Sequence, residues 1–171
     1  MKVEPNQKCN APERLTALHQ LESFNSGNHR LDEWLKSRAI KNEDAGASRT
    51  YVVSIQQRVV GYYCLANGGV AHSIATNQVK RNMPAPIPVM IIGRLAVDLL
   101  FQKQGIGRSL VRDAIGRVMQ ASEIAGIRAI VVHAGSEKAK QFYENCGFKT
   151  SPIEPMTLLI TVSEAKKALG P

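Results

Sequence analysis

The sequence predicts one α/β (α+β) domain, and three observations carry that expectation. From residue 89 onward, short apolar runs alternate with helical stretches, while two β-branched and aromatic runs ahead of them read as a hairpin. The 171 residues, 44% hydrophobic and 21% charged, are enough for one ordinary core. No internal repeat or low-complexity linker divides residues 1–171.

Taken in order, residues 28–42 (NHRLDEWLKSRAIKN) set Leu31, Trp34, Leu35 and Arg38 at helical spacing, with Asn28 as the cap and Gly46 beyond the end. Residues 50–66 supply two strands about a Gln56-Gln57 turn. From Lys80 to Pro88, three prolines remove three backbone donors, so this segment is expected as a stiff loop outside any central strand. VMIIGRLAVD then reads as a buried strand. A polar, glycine-containing loop follows it, and then a helix with Leu110, Val111, Ala114, Ile115, Val118 and Met119 on its apolar face. Gly126 ends that helix, IRAIVVHA is a further buried strand, and Ser136 caps a helix running to about Cys146. Gly147 stops this helix, and MTLLITV is the last strand.

Lysine and arginine number 22 against 14 acidic residues, a net charge of +8, and residues 71–117 alone carry a surplus of +5. Such an excess favours polyanions, anionic cofactors or acidic partners. Cys9, Cys64 and Cys146 share no ligand-like spacing, so neither a disulfide framework nor a metal site is expected and the compartment is a reducing one. The N-terminal MKVEPNQKCNAPERL lacks an apolar segment and the longest apolar run, Val89 to Ile92, is too short to span a bilayer. A cytoplasmic protein without a membrane partner is the expectation.

Gln102-Lys103-Gln104-Gly105-Ile106-Gly107-Arg108 lies between a buried strand and a helix, where unpaired amides and the helix dipole favour an anion. Gly105 and Gly107 let the backbone curl, while Lys103 and Arg108 add charge, so a pyrophosphate suits the loop. Two glycines alone are equally a plain turn opening a helix.

VMIIGRLAVD followed by QKQGIGRSLVRDAI, and later HAGSEKAKQFYENCGF, resembles the GNAT acetyltransferase superfamily, whose signature Gln102, Gly105 and Gly107 match. The resemblance covers about residues 15 to 160. It implies a twisted mixed sheet splayed into a V around acetyl-CoA, with the pyrophosphate on the amides from Gln104 to Arg108. It also implies that Leu95, Ala96 and Val97 offer backbone hydrogen bonds to the pantetheine arm and thioester oxygen. An amide aimed at that oxygen stabilises developing charge by about 3 kcal/mol per donor.

Ala139, Phe142, Tyr143 and Cys146 recur at helical spacing, so by pattern Tyr143 is a core aromatic. The resemblance of FYENCGF to the GNAT segment that supplies a tyrosine implies instead that Tyr143 is the general acid. An ordinary tyrosine has a pKa of about 10 against about 8.5 for a thiol, so protonation of the departing sulfur is slightly uphill but feasible. His133 is a base acting through a water or a structural histidine; a free α-amine of pKa near 8 needs little help at neutral pH.

LDEWLKSRAIKNEDAGASRTYVV, VVGYYCLA, MPAPIPVMIIGRLAVD and SPIEPMTLLI resemble a narrower branch, the GNAT toxins of type II toxin–antitoxin modules. That resemblance implies acetylation of the α-amino group of aminoacyl-tRNA, arrest of translation, a ribbon-helix-helix antitoxin and a homodimer. A tRNA acceptor arm calls for basic residues, for which Lys36, Arg38, Arg49, Lys80, Arg81 and Arg94 are the candidates, each equally a solvated surface charge. Two other readings stay open: a GNAT enzyme of a small-molecule or protein amine, and a non-catalytic nucleic-acid-binding module.

Overall fold

In the computed structural model, which describes residues 8–168, the side chain of Asn28 accepts from the amides of Arg30 and Leu31 at 3.1 and 3.3 Å. This satisfies two of the donors that a helix start leaves open. The helix it caps, α1 (His29–Ser37), stops earlier than the sequence predicts, because Arg38 adopts φ −119° and starts a second helix, α2 (Ala39–Ala45). With this break Ala39 is fully buried and Ile40, one position off the helical stripe, packs on the same cluster. Gly46 closes α2 in the left-handed region at φ 74°, where a Cβ would be strained.

The predicted hairpin is present as β2 (Arg49–Ile55) and β3 (Arg58–Val70), preceded by β1 (Glu13–Arg14), which pairs antiparallel with β2. Gln56 and Gln57 both have positive φ, 49° and 71°, which matches the two-residue turn favoured by the right-handed twist of strands. The second strand runs past the predicted residue 66 through Gly68, where a Cβ would stand 2.5 Å from Ile91 Cδ1, so glycine permits the close approach.

The segment expected as a stiff loop is corrected at both ends. Thr76 caps a short α3 (Asn77–Lys80), and β4 (Ile87–Val97) begins inside the proline run and includes Pro88. Proline lacks the donor but keeps its acceptor, and the Pro88 carbonyl accepts from the Arg128 amide at 2.8 Å. A short 3-10 turn (Leu99–Phe101) leads to α4 (Ile106–Ser122), in which Leu110, Val111, Ala114, Ile115 and Val118 are buried as the periodicity predicts, with Met119 half-buried. Then follow β5 (Ala129–His133), α5 (Glu137–Asn145), β6 (Lys149–Thr150), β7 (Thr157–Thr161) and α6 (Val162–Ala168).

The strand order is β1-β2-β3-β4-β5-β7-β6. The sheet is mixed: β4 and β5 are parallel from Val89↔Ala129 to Ile92↔Val132, while β5 and β6 each pair antiparallel with β7. Two compact units divide the chain, the first drawn from residues up to Cys64 and from Arg94–Leu110, the second from Leu65–Gly93 and from Val111 onward. The first is cored by Phe24, Leu35, Val52, Val59, Tyr62 and Ala96, the second by Val79, Ile87, Val89, Ala129, Val131 and Leu159. Each fully buried Leu, Ile, Val or Phe contributes about 1.5–3 kcal/mol against exposure.

Within the first unit, a Cβ on Gly61 would meet Val53 Cγ2 at 2.9 Å and the Ile106 and Leu110 side chains at 3.3 Å. Gly61 thus lets the start of α4 lie close on β3. Gly61→Ala should lower unfolding free energy by about 1–3 kcal/mol through overpacking. Urea denaturation checks this as a lower midpoint at unchanged slope; an unaltered midpoint would contradict the close packing.

Candidate active site

The chain leaving β4 is anchored before it curls. Asp98, 2% exposed, accepts from the amides of Asn25 and Leu100, each at 3.0 Å, while its own amide donates to Val60 O at 2.8 Å. Gln102 then donates through Nε2 to Val97 O at 2.8 Å and to Ser26 O at 3.1 Å. What Gln102 contributes through its side chain is therefore the shape of the loop, tying its start to the end of β4.

Lys103 and Gly105 both take positive φ, 63° and 85°. Left-handed backbone is costly for lysine and free for glycine, and alternation of this kind turns successive amides toward one side. The first rung of α4 runs from Ser109 N to Gly105 O at 3.1 Å, so the amides of Ile106, Gly107 and Arg108 precede it. Lys103, Gln104, Gly105 and Arg108 are exposed. Nothing lies within 4 Å of a Cβ built on Gly105. Amides ahead of the first rung, the positive end of a 17-residue helix, two flanking cations and open space beside the glycine fit a diphosphate.

On β4, Ala96 is 6% exposed and joins the core cluster with Tyr62, while Leu95 and Val97 are half-buried on the alternate side. All three lie beyond Ile92↔Val132, the last pair that β4 makes with β5. Their main-chain groups on that side therefore suit an extended amide-bearing arm of the kind acetyl-CoA carries.

In the second unit, Ser136 caps α5 by accepting from Ala139 N at 3.1 Å, and Gly147 at φ 101° ends it. These two stops set the position of Tyr143, which is 6% exposed. Its ring meets Phe142 and Phe148 edge-on, at centroid distances of 5.2 and 5.7 Å. The tyrosine thus has the burial expected of a core aromatic, and its ring is held in one place.

His133 ends β5 opposite Thr157 of β7. Its Nδ1 lies 3.0 Å from Thr157 Oγ1, and that hydroxyl donates to Glu154 Oε2 at 3.0 Å. A carboxylate only accepts, so the threonine's proton goes to Glu154 and its lone pair is left to accept from His133 Nδ1–H. In the neutral ring this assigns the lone pair to Nε2, the nitrogen that takes up a proton.

The basic residues fall into different settings. Arg94 lies over the ring of Trp34, at 4.5 Å. Lys36 and Arg38 are exposed at the end of α1, whereas Arg49 pairs with Glu43 Oε2 at 3.2 Å and donates to Glu43 O at 2.9 Å. Arg81 is exposed and Lys80 half-buried at the end of α3. The structure gathers Arg94, Leu95–Val97, Gln102–Arg108, Lys36, Arg38 and Arg49 in the first unit; Tyr143, Lys80 and Arg81 belong to the second. The phenol of Tyr62, fully buried and donating to Leu31 O at 2.7 Å, is pushed by burial well above the usual tyrosine range, which keeps it a structural donor. Sequence reasoning missed Asp98 behind the loop, Trp34 beneath Arg94 and Thr157 beside His133; an aspartate two residues ahead of an amide in a turn is the one signal that marks Asp98.

Among the described residues no group of three or more His, Cys, Asp or Glu side chains is placed to hold a metal, and no helix is long and apolar enough to cross a membrane. The GNAT acetyltransferase domain matches residues 46–150. A tRNA-acetylating toxin of Mycobacterium tuberculosis (strain ATCC 25618 / H37Rv) is 44% identical over 160 residues, covering 94% of this chain and 96% of that protein. Among solved structures, AtaT complexed with acetyl-methionyl-tRNAfMet aligns at a TM-score of 0.83 and 28% identity, over 91% of this chain and 96% of that one. A mutant AtaT toxin bound to the C-terminus of the antitoxin AtaR and to acetyl-CoA aligns at 0.79 and 26% identity, over 94% and 98%. A match of this extent shows the family: the chain belongs to the GNAT acetyltransferase family, in its branch of tRNA-acetylating toxins.

Proposed function

We propose that this chain works as a single GNAT domain in the cytoplasm, moving an acetyl group from acetyl-CoA to the α-amino group of aminoacyl-tRNA and so blocking translation. The observation that carries the reading is the turn from Lys103 to Arg108, whose leading amides, two left-handed residues and flanking cations form a cradle for a diphosphate.

Acetyl-CoA supplies an acyl group activated as a thioester. The amides of Gln104 to Arg108 hold its diphosphate, and the main chain of Leu95, Ala96 and Val97 aligns its arm and donates to the thioester oxygen, at about 3 kcal/mol per aimed donor. Tyr143 gives its proton to the departing sulfur, which leaves as the thiol of coenzyme A. His133, with its lone pair on Nε2, accepts the proton that the amine sheds, through a water. Lys36, Arg38, Arg49, Lys80, Arg81 and Arg94 are the proposed contacts to tRNA phosphates; of these Arg49 must first loosen its pairing with Glu43. A ribbon-helix-helix antitoxin neutralises the toxin, and the toxin itself acts as a homodimer.

The competing substrate is a small-molecule or protein amine, which needs no polyanion contact. Salt separates the two. If charged tRNA is the substrate, kcat/KM should fall steeply between 50 and 200 mM salt, by about tenfold or more for a few phosphate contacts. Turnover of a neutral peptide amine measured alongside should be nearly flat. A salt-insensitive rate on charged tRNA, or a faster rate on the peptide, would overturn the assignment.

A further inference from the structure

Arg94 is held in an unusual way. Its guanidinium carbon lies 4.5 Å over the centre of the Trp34 ring, and among the described residues it makes no ion pair or hydrogen bond. Trp34 is itself stacked on Tyr62, with centroids 6.0 Å apart and planes only 10° apart. Tyr62 is fully buried, meets Phe24 edge-on at 5.6 Å and is pinned by its hydroxyl to Leu31 O. The arginine therefore rests on a three-ring base anchored in the core of the first unit. Asp32, the acidic residue in the first turn of α1, accepts from the amide and hydroxyl of Ser26, at 3.0 and 2.6 Å, and forms no ion pair with Arg94.

A guanidinium held over an aromatic ring by its charge finds no conventional acceptor there, so its five N–H donors remain for an anion. A flexible arginine loses side-chain freedom when it grips a phosphate, whereas one already resting on a ring has lost much of it beforehand. We propose that Trp34 is a positioning residue that presents the N–H fork of Arg94 to a backbone phosphate of the tRNA substrate. The inference rests on the tRNA reading above, and it adds a role for an aromatic residue that touches no reacting atom.

The test measures KM and kcat on charged tRNA, the Kd for acetyl-CoA, and salt-dependent binding of uncharged tRNA, for wild type, Arg94→Gln, Arg94→Lys, Trp34→Leu, Trp34→Phe and the double variant Arg94→Gln/Trp34→Leu. Arg94→Gln should raise KM about tenfold, as expected for losing a charge-assisted contact, and flatten the logarithmic salt slope of tRNA binding by about 0.7–0.9. Trp34→Leu should raise KM about two- to fivefold with kcat and the acetyl-CoA Kd held, Trp34→Phe should recover most of that loss, and neither change should matter once Arg94 is glutamine. Arg94→Lys, which keeps charge but lacks the planar fork, should resemble Arg94→Gln more than wild type.

A wild-type KM for Trp34→Leu, an equal Trp34→Leu effect in the Arg94→Gln background, or a wild-type KM for Arg94→Lys would each overturn the proposal. The lysine variant decides the matter even if Trp34→Leu fails to fold. Absence of acetyl transfer by the wild type would instead defeat the proposed function, and the binding of uncharged tRNA would still report on Trp34 and Arg94.

Discussion

Tyr143→Phe should reduce kcat on charged tRNA by about 10²–10⁴-fold, the range for removing a positioned general acid. The substitution deletes one oxygen and keeps the ring, so the edge contacts with Phe142 and Phe148 at 5.2 and 5.7 Å persist and the end of α5 stays where Gly147 stops it. Affinity for acetyl-CoA should stay near wild type, because the proposed grip on the diphosphate lies in the loop after β4. Single-turnover rates at saturating acetyl-CoA measure the chemical step directly. A rate within about threefold of wild type, below the range of acid catalysis, would return Tyr143 to the status of a core aromatic.

Gly105→Val should weaken acetyl-CoA binding by about 5- to 30-fold, for a conformational reason that a control isolates. Gly105 sits at φ 85° with nothing within 4 Å of the point a Cβ would occupy, so valine meets no clash there. Its cost is the left-handed backbone, about 1–2 kcal/mol and greatest for a β-branched residue, which the loop relieves by turning its amides away. Gly105→Asn tolerates the left-handed region and should retain most of the affinity. Calorimetric titration with acetyl-CoA distinguishes the two; equal affinities for the valine and asparagine variants would contradict a role for the positive φ.

The parts of the site that are local in sequence were legible in it. Gly105 and Gly107 between an apolar strand and an amphipathic helix point to an anion cradle, and Ser136, Tyr143 and Gly147 mark a capped and terminated helix, because caps and turns depend on a few adjacent residues. The break at Arg38 was not legible, since NHRLDEWLKSRAIKN keeps helical periodicity straight through it and only packing of Ile40 against a distant cluster reveals the turn. Two-residue strands such as Glu13–Arg14 and Lys149–Thr150 are too short for any period to register. The last helix had a usable signal: Thr161-Val162-Ser163-Glu164 is a capping box, and Glu164 N donates to Thr161 Oγ1 at 3.0 Å.

Pro88 is misleading in sequence for a different reason. A proline forfeits a donor, but a strand position whose partner needs only an acceptor tolerates it, and which need applies is settled by register. Register also explains what lies behind the functional side chains. Thr157 reaches His133 because β5 and β7 pair antiparallel with these residues opposite each other, and Arg94 reaches Trp34 from a strand to a helix sixty positions earlier in the chain. Such pairings follow from the folded topology and leave no mark on either segment alone.

The central claim concerns where the acetyl group goes. Purified protein incubated with isotopically labelled acetyl-CoA and charged tRNA, followed by nuclease release of the terminal aminoacyl-adenosine and fragmentation mass spectrometry, locates the label atom by atom. The account predicts one acetyl group on the α-nitrogen of the esterified amino acid and none on uncharged tRNA. Label on a nucleobase, on the polypeptide itself or on neither would contradict it.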